Sequence, residues 1–459
     1  YHLNGLVICR GTTLEYTPDA DESRAGAVVL ENALTDNEKA MTGMGTKVLI
    51  WPDKKAFDTE TGTLTDLAAK WELGDEAMTV TPCDTEGVLY HPTGVGDTEP
   101  EKPEDGQLFL KSTDDAPYGT GSVLLKYSAN NKKWQEVLLQ TVRIHCPGVG
   151  GVLKEGDTVT LSGMPQAVCD AVAAGLNGEI TVGTLEEDDI IATLVPTEDT
   201  DRYYGSWTIG RTGTTWQSLD GKVTENEAAT APVAVERRVP DFDFVTEQGN
   251  RVWGCSRKEN TIYACALGDP TNWYSYRGIA SDSYAVSVGS DGAFTGAAAC
   301  LGGVIFFKED CMERVYPSAT GAHQIVTLRC PGVKKGCHGA AAVVDGTLFY
   351  LGLGGVYAFD GSMPGCVSMP LGSVRYQDGA AAGWNGQYWL AARDGGGKRH
   401  LLVYDTARGL WHRQDDADIM AFTVCDGALY GLARDGRLLD MTGGSGQQET
   451  ALRWMAETG

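Results

Sequence analysis

The stretch Gly-Gly-Val-Ile-Phe-Phe at 302–307 is a tight turn followed by a run of apolar β-formers. The same pattern returns as Asp-Gly-Thr-Leu-Phe-Tyr at 345–350, Asn-Gly-Gln-Tyr-Trp-Leu at 385–390 and Asp-Gly-Ala-Leu-Tyr-Gly at 426–431. The second residues of the four stretches are 303, 346, 386 and 427, so the intervals are 43, 40 and 41 residues. A period near forty with strand-turn-strand content is typical of a β-propeller blade.

Two further units extend the repeat beyond these four stretches. One lies near 45–62 and the other begins at 249, so the count is six units and predicts an all-β propeller of about six blades. Residues 67–240 break the period and carry short alternating strands of their own. We therefore predict a first blade at 1–66, a large β-rich insertion with one small barrel at 67–240, and the remaining blades at 241–459.

The charge of the chain restricts its partners. Among 459 residues the net charge is -25, with most of the acidic excess before residue 250. An acidic surface repels the phosphate backbone, so tight sequence-specific binding of DNA is disfavoured. The acidic stretches are either solvated loops or a surface that nucleic acid passes without adhering.

The cysteine pattern and the absence of long apolar runs bear on where the protein is made. Twelve cysteines are scattered singly with no Cys-x-x-Cys pair. This favours reduced thiols in apolar surroundings, made in a reducing cytoplasm. The sequence shows no signal-peptide pattern and no apolar run of transmembrane length, so we expect no membrane span.

No catalytic or cofactor motif is recognisable. The nucleophile-elbow, zinc-protease and phosphate-loop patterns are all missing, so we expect no enzyme activity, no catalytic residue and no cofactor. Cys330, Cys337 and His338 could be imagined as a zinc site, but a fourth ligand and the usual cysteine spacing are lacking, so we expect no metal site. The tryptophans are explained by packing between blades, although an exposed cluster would suggest carbohydrate stacking.

The region 249–310 carries a resemblance to a known group of proteins. Its phrases are Gly-Asn-Arg-Val-Trp-Gly-Cys from 249, Leu-Gly-Asp-Pro-Thr-Asn-Trp from 267, Gly-Ser-Asp-Gly-Ala-Phe from 289 and Phe-Phe-Lys-Glu-Asp from 306. This region resembles tailed-bacteriophage virion proteins, and more distantly the β-propellers of tail hub or nozzle proteins of short-tailed phages. The signature residues are Asn250, Arg251, Trp253, Gly268, Asp269, Pro270, Trp273, Asp291, Gly292, Phe306 and Phe307.

The resemblance implies a structural role for the chain. It implies a subunit of a homo-oligomeric ring, commonly hexameric, that adjoins the portal, the adaptor and other tail proteins. Such a ring forms part of the conduit for genome ejection, through which DNA passes without specific binding. The protein would then be made in the cytoplasm of the host bacterium and located in the tail of the virion.

The signature residues are expected to shape the blades rather than to catalyse a reaction. We expect Gly268, Asp269 and Pro270 to form a turn, Trp273 to cover a blade edge, and Phe306 and Phe307 to lie in a buried strand. Three other interpretations stay open. They are a propeller that binds host glycan or protein as a receptor-binding element, a propeller hydrolase or lyase, and another structural propeller.

Overall fold

The computed structural model describes residues 1–3, 5–19, 26–111, 123–138, 141–165, 168, 176–193, 205–218, 223–226, 232–320, 322–415 and 417–442. Two compact units divide the chain. The first unit comprises Tyr1–Thr65, Asp241–Pro270 and Gly278–Gly459, and the second comprises Asp66–Pro240 and Thr271–Arg277. The described part of the chain contains no helix with the length and apolar character that crossing a membrane requires.

The N-terminal residues form two antiparallel sheets of the first unit. The strands of sheet one are β1 (Gly5–Arg10), β2 (Thr13–Pro18) and β3 (Val28–Leu30). The strands of sheet two are β4 (Ala40–Met44), β5 (Lys47–Trp51), β6 (Lys55–Asp58) and β7 (Thr63–Asp66).

The next fourteen strands in the described part of the chain build the second unit. They are β8 (Ala69–Glu72), β9 (Met78–Cys83), β10 (Gly94–Gly96), β11 (Leu108–Lys111), β12 (Val123–Ser128), β13 (Lys133–Glu136), β14 (Thr141–His145), β15 (Thr158–Ser162), β16 (Gly178–Glu186), β17 (Asp189–Thr193), β18 (Gly205–Ile209), β19 (Thr214–Ser218), β20 (Val223–Asn226) and β21 (Ala234–Arg237). A 3-10 turn at Val149–Gly151 lies between β14 and β15.

The remaining strands form five further antiparallel sheets of the first unit. Sheet three is β22 (Phe244–Glu247), β23 (Val252–Cys255), β24 (Thr261–Ala264) and β25 (Tyr284–Ser287). Sheet four is β26 (Gly296–Cys300), β27 (Gly303–Phe307), β28 (Cys311–Tyr316) and β29 (Gln324–Arg329). Sheet five is β30 (Ala342–Val344), β31 (Thr347–Gly352), β32 (Gly355–Phe359) and β33 (Gly365–Cys366). Sheet six is β34 (Tyr376–Trp384), β35 (Gln387–Asp394), β36 (Arg399–Asp405) and β37 (Leu410–Asp415), and sheet seven is β38 (Ile419–Cys425), β39 (Ala428–Ala433) and β40 (Leu438–Asp440). Two 3-10 turns, His338–Ala340 and Met369–Leu371, precede β30 and β34.

The sheets of the first unit are arranged as a β-propeller. Each is a meander of consecutive strands, and the first strands of neighbouring sheets lie side by side, with β22 between β4 and β26, and β34 between β30 and β38. Sheet one touches sheet seven, where Arg10 Nη1 donates to the Gly436 carbonyl at 3.3 Å. Sheet one also shares a core with sheet two, in which Tyr16 packs against Phe57. Neighbouring contacts of this kind leave few exposed sheet edges.

The predicted count of about six blades is not confirmed by this arrangement. The described residues of the first unit form seven sheets, because the segment 1–66, interpreted as one blade, supplies both sheet one and sheet two. Sheets one and seven contribute three described strands each, and the other five contribute four.

The recurring sequence pattern has a simple explanation in the propeller. The small-residue run is the first strand of a sheet, the glycine turn follows, and the apolar burst is the second strand. All five residues of β27 are buried. Phe306 packs in the core shared with sheet three and Phe307 in the core shared with sheet five, since successive side chains of a strand point to opposite faces.

The described strands of the second unit form a ten-stranded sheet and a four-stranded sheet. The order in the larger sheet is β20-β19-β18-β9-β14-β17-β16-β15-β21-β8, and β10 to β13 form the smaller one. The larger sheet surrounds one core that includes Trp71, Val159 and Trp216. The predicted small barrel is not confirmed, because among the described strands β8 and β20 stand at opposite ends of the sheet and do not pair with each other.

A buried ion pair lies inside the second unit. Arg237 Nη1 donates to Asp157 Oδ2 at 2.7 Å, and its Nε donates to the Leu67 carbonyl at 3.1 Å. The Asp157 side chain has no exposure. The pair therefore joins β21 to the turn before β15 and to the chain entering the unit.

Candidate functional site

Arg251 is a buried signature residue whose side chain makes three hydrogen bonds. It is 4% exposed, and its guanidinium donates to three carbonyls: Nη1 to Cys265 at 2.7 Å and Asp282 at 2.5 Å, and Nη2 to Ala280 at 2.6 Å. Burial lowers the pKa of this guanidinium. Arg251 thus ties the end of β24 to the segment that enters β25.

The turn residues of the signature lie around this guanidinium. Asn250 and Gly268 both have positive φ, at 58° and 77°, a region in which glycine is unstrained and asparagine is tolerated. The Gly268 amide donates to the Asn250 carbonyl at 2.9 Å, and the Asp269 amide donates to Ala266 at 3.1 Å. Pro270 is the last residue of this segment in the first unit. Residues 266–269 therefore form a tight turn, which overlaps the predicted turn Gly268–Pro270 in part.

The tryptophans of the signature are divided between the two units. Trp253 is buried in sheet three, and its Nε1 donates to the Gln248 carbonyl at 3.1 Å. Trp273 is also buried, but it belongs with Thr271–Arg277 to the second unit. That Trp273 covers a blade edge stays a prediction. Asp291 and Gly292 are exposed in the turn before β26.

A cavity of about 260 Å³ lies at one end of the propeller, where the first strands of three sheets begin. Among the residues that line it are Glu38 and Lys39 before β4, Trp51 at the end of β5, Asp243 before β22, Arg257 after β23 and His338 before β30. We call this cavity the axial pocket. Its walls come from sheets two, three and five, so their mutual packing holds its shape.

Two cations of the axial pocket are neutralised by neighbouring carboxylates. Lys39 Nζ lies 2.5 Å from Asp53 Oδ2, and both side chains are almost fully buried. Burial by itself raises the pKa of Asp53, but hydrogen bonds from Lys39 and Thr35 outweigh it and hold that pKa below its ordinary value. Arg257 Nη1 donates to Asp243 Oδ1 at 2.8 Å, which fixes the guanidinium at the edge of the pocket.

His338 is the titratable group of the pocket with an unsatisfied atom. Its Nε2 lies 3.6 Å from Glu38 Oε1, and its buried Nδ1 has no hydrogen-bond partner among the described residues. The ring packs edge-on against Phe244, over which Arg257 also lies. Burial lowers the pKa of His338, and the nearby Glu38 opposes that effect. The neutral imidazole is therefore favoured.

A network of ion pairs occupies the same end of sheets six and seven. Asp378 Oδ2 lies within 3.4 Å of guanidinium nitrogens of Arg393, Arg399 and Arg434. Asp418 contacts Arg399 at 3.1 Å and Arg434 at 3.4 Å. The network joins the start of β34 to the start of β38 and the end of β39.

Reasoning from the sequence did not identify the axial pocket. His338 was weighed only as a partner of Cys330 and Cys337 in an unconvincing zinc site. Within the described residues, the acid and thiol groups close enough to share an ion are instead Asp19, Cys425 and Asp426, which by themselves do not make a site. The sequence contained one signal for this pocket, which was position. Lys39, Asp243 and His338 each come shortly before the first strand of a sheet.

Comparisons with known proteins add little to this geometry. No protein-family model matches the chain, and no curated protein sequence matches it. Among solved structures, it is similar to the computationally designed protein Ika8 at 13% identity and a TM-score of 0.30, covering 88% of this chain and 96% of that one. It is similar to Hsv2p of Kluyveromyces lactis at 11% identity and a TM-score of 0.30, covering 54% and 75%. It is similar to BamB of Moraxella catarrhalis at 13% identity and a TM-score of 0.26, covering 51% and 78%. At these TM-scores the likenesses carry no argument about function.

Proposed function

We propose that the chain is a structural subunit of a bacteriophage tail, in a hub- or nozzle-type ring that forms part of the conduit for genome ejection. The observation that carries the proposal is the structural role of three signature residues in and beside sheet three. Arg251 binds three backbone carbonyls, and Asn250 and Gly268 shape the adjoining turn. The residues that carry the resemblance thus build a scaffold, as a non-enzymatic structural protein requires.

The proposal extends to the assembly and its surroundings. We infer a homo-oligomeric, hexameric ring in the tail of the virion, in contact with the portal, the adaptor and other tail proteins. The net charge of -25 supports transient passage of DNA, because a negative surface does not retain the phosphate backbone. We also infer a closed propeller of seven blades, supported by the contacts of sheet one with sheets two and seven.

Two measurements on the encoding phage or prophage test this function. Mass spectrometry of density-purified particles is expected to find the chain at a stoichiometry near that of the other tail proteins. Disruption of the gene is expected to yield particles with incomplete tails or without genome ejection. Purified particles that lack the chain and eject normally would contradict the proposal.

A second candidate function is a binding module for host glycan or protein. The axial pocket favours it, because the pocket is concave, is built on three sheets and is lined by the polar side chains of Glu38, Arg257 and His338. Ligand sites commonly combine such a rigid concave surface with a few polar groups that converge on it. Binding of a neutral sugar by the purified chain would favour this function.

A further inference from the structure

We infer that the axial pocket binds a single neutral sugar ring, contacted by Glu38, Arg257 and His338. This inference rests on the second candidate function and is independent of the tail assignment. It names the chemical class of the ligand, a neutral hexose or N-acetylhexosamine that ends a glycan chain.

The size of the pocket restricts the ligand to one ring. Pockets for drug-sized ligands span roughly 300–1,000 Å³. The axial pocket, at about 260 Å³, is below that range. The residues that line the pocket include Trp51, which is buried and whose ring lies 5.3 Å from that of Phe242. This aromatic pair gives the pocket a rigid base that does not need to rearrange on binding.

The pocket offers a ligand both hydrogen-bond donors and hydrogen-bond acceptors. Glu38 is 75% exposed in its side chain and offers carboxylate acceptors. Arg257 uses Nη1 for Asp243, which leaves guanidinium N–H donors without a partner among the described residues. His338 contributes its Nε2, which lies 3.6 Å from Glu38 Oε1, beyond hydrogen-bond distance, on a side chain that is 34% exposed. A sugar hydroxyl both donates and accepts, so one ring can satisfy all three groups at once.

The charges argue against other small ligands. Lys39 is already held by Asp53, so it does not provide a free cation for a phosphate or carboxylate. The protein carries a net charge of -25, and Glu38 adds a carboxylate at the pocket, so anionic sugars and nucleotides are repelled. An apolar ligand would bury Glu38 and Arg257 without replacing their hydrogen bonds to water.

The test is saturation-transfer NMR and calorimetry on the full chain with D-glucose, D-galactose and N-acetyl-D-glucosamine. At least one of these sugars is expected to bind, with the weak affinity common to single sugar rings. Glu38→Gln removes the charge on the acceptor while preserving its shape. It should weaken binding about tenfold, the effect of losing one charge-assisted hydrogen bond.

The matched control is Glu60→Gln, because Glu60 is an exposed acid outside the pocket, in the turn between β6 and β7. It should leave the affinity unchanged within about twofold. His338→Asn is a second pocket variant, which should also weaken binding while Glu38 is intact. Circular dichroism establishes that each variant is folded.

Two results would overturn the inference. One is no saturation transfer from any of the three sugars at about 10 mM, a concentration that detects even millimolar affinity. The other is sugar binding that Glu38→Gln and His338→Asn leave unchanged, which would place the sugar elsewhere. Neither result affects the test of the tail assignment, which depends on the composition of purified particles.

Discussion

At the scale of single residues, Arg251 is a buried cation whose partners are neutral carbonyls rather than carboxylates. A planar guanidinium presents several N–H donors in a fixed fork, so it can contact Cys265, Ala280 and Asp282 simultaneously. A lysine ammonium is a compact group and cannot span three carbonyls at these positions. This position therefore requires the forked shape of a guanidinium as much as its positive charge.

Replacement of Arg251 by lysine tests this geometric requirement. Arg251→Lys keeps the positive charge but leaves at least one carbonyl without its donor. The free energy of unfolding is expected to fall by about 2–3 kcal/mol, measured by urea denaturation. Arg408→Lys is the control, since the Arg408 side chain is 75% exposed and its pair with Asp405 contributes little. Equal effects of the two substitutions would contradict the role given to Arg251.

His323 makes the stability of sheet three depend on pH. Its ring packs edge-on against Trp253 and Tyr284, and its Nδ1 accepts from the Ser318 amide at 2.9 Å. Burial, reinforced by the charge of Arg251, lowers the pKa of His323 below the ordinary 6.5. The unfolded chain therefore takes up the proton first as pH falls, and stability that is complete above pH 6.5 is lost below it.

The variant His323→Asn isolates this contribution. Asparagine retains an acceptor near the position of Nδ1 but does not titrate. Urea denaturation at about pH 7.5 and about pH 5.5, on either side of the ordinary histidine pKa, should show a smaller loss of unfolding free energy for the variant than for the parent chain. His338, whose pKa burial also lowers, keeps some dependence in both. An unchanged difference between the two pH values would exclude His323 as a source.

At the scale of elements, the first strands β30 and β34 approach each other closely enough to exclude a side chain at one position. Gly383 in β34 illustrates the constraint, because a Cβ there would lie 2.2 Å from the Val343 carbonyl oxygen of sheet five. Backbones approach this closely only where side chains are absent or small. The runs of glycine and alanine in β26 and β34 are thus a consequence of packing around the propeller axis.

Adding a single methyl group at Gly383 tests this close approach. Gly383→Ala is expected to destabilise the first unit by about 1–3 kcal/mol, because the neighbouring backbone must move. Gly365→Ala in β33 is the matched control, since a Cβ added there would meet no described atom within 4 Å. Thermal unfolding followed by circular dichroism measures both. If Gly383→Ala proved as harmless as Gly365→Ala, close packing of the first strands would be refuted.

At the scale of the whole molecule, the chain has two units with separate cores. The core of the second unit involves residues such as Trp71 and Trp216, and that of sheets four to six involves residues such as Tyr350 and Tyr388. Separate cores permit separate unfolding, so a single transition should not be assumed for this chain. Damage to the core of one unit is expected to leave the other protected.

The buried ion pair of the second unit provides the test. Arg237→Met leaves Asp157 buried without its partner, which should cost about 3–5 kcal/mol of stability in that unit. Hydrogen-exchange mass spectrometry should show faster exchange in β15 and β21, with no change in β27. Arg211→Met, at an exposed ion pair with Asp75, should change neither region. Faster exchange in β27 as well would show that the two units unfold together.

The sequence predicted the class of the fold more fully than the number of sheets in the propeller. The glycine turn before each apolar burst indicated the repeated strands, since turn chemistry and strand alternation depend on adjacent residues. The count of about six is not confirmed because the segment 1–66 was interpreted as one blade, whereas it supplies both sheet one and sheet two. The 66 residues of the predicted first blade exceed the period of about forty, and that excess was the signal for a second sheet.

The sequence by itself determined that the chain is a β-protein with a period near forty, interrupted over 67–240. It also singled out Arg251 and its turn, through the resemblance. Only the tertiary structure decided the seven sheets, the ten-stranded sheet of the second unit and the axial pocket. Lys39, Asp243 and His338 are far apart in the chain, and what brings them together is the packing of first strands around one axis. Such packing depends on the shape of whole sheets, so no local pattern of residues encodes it.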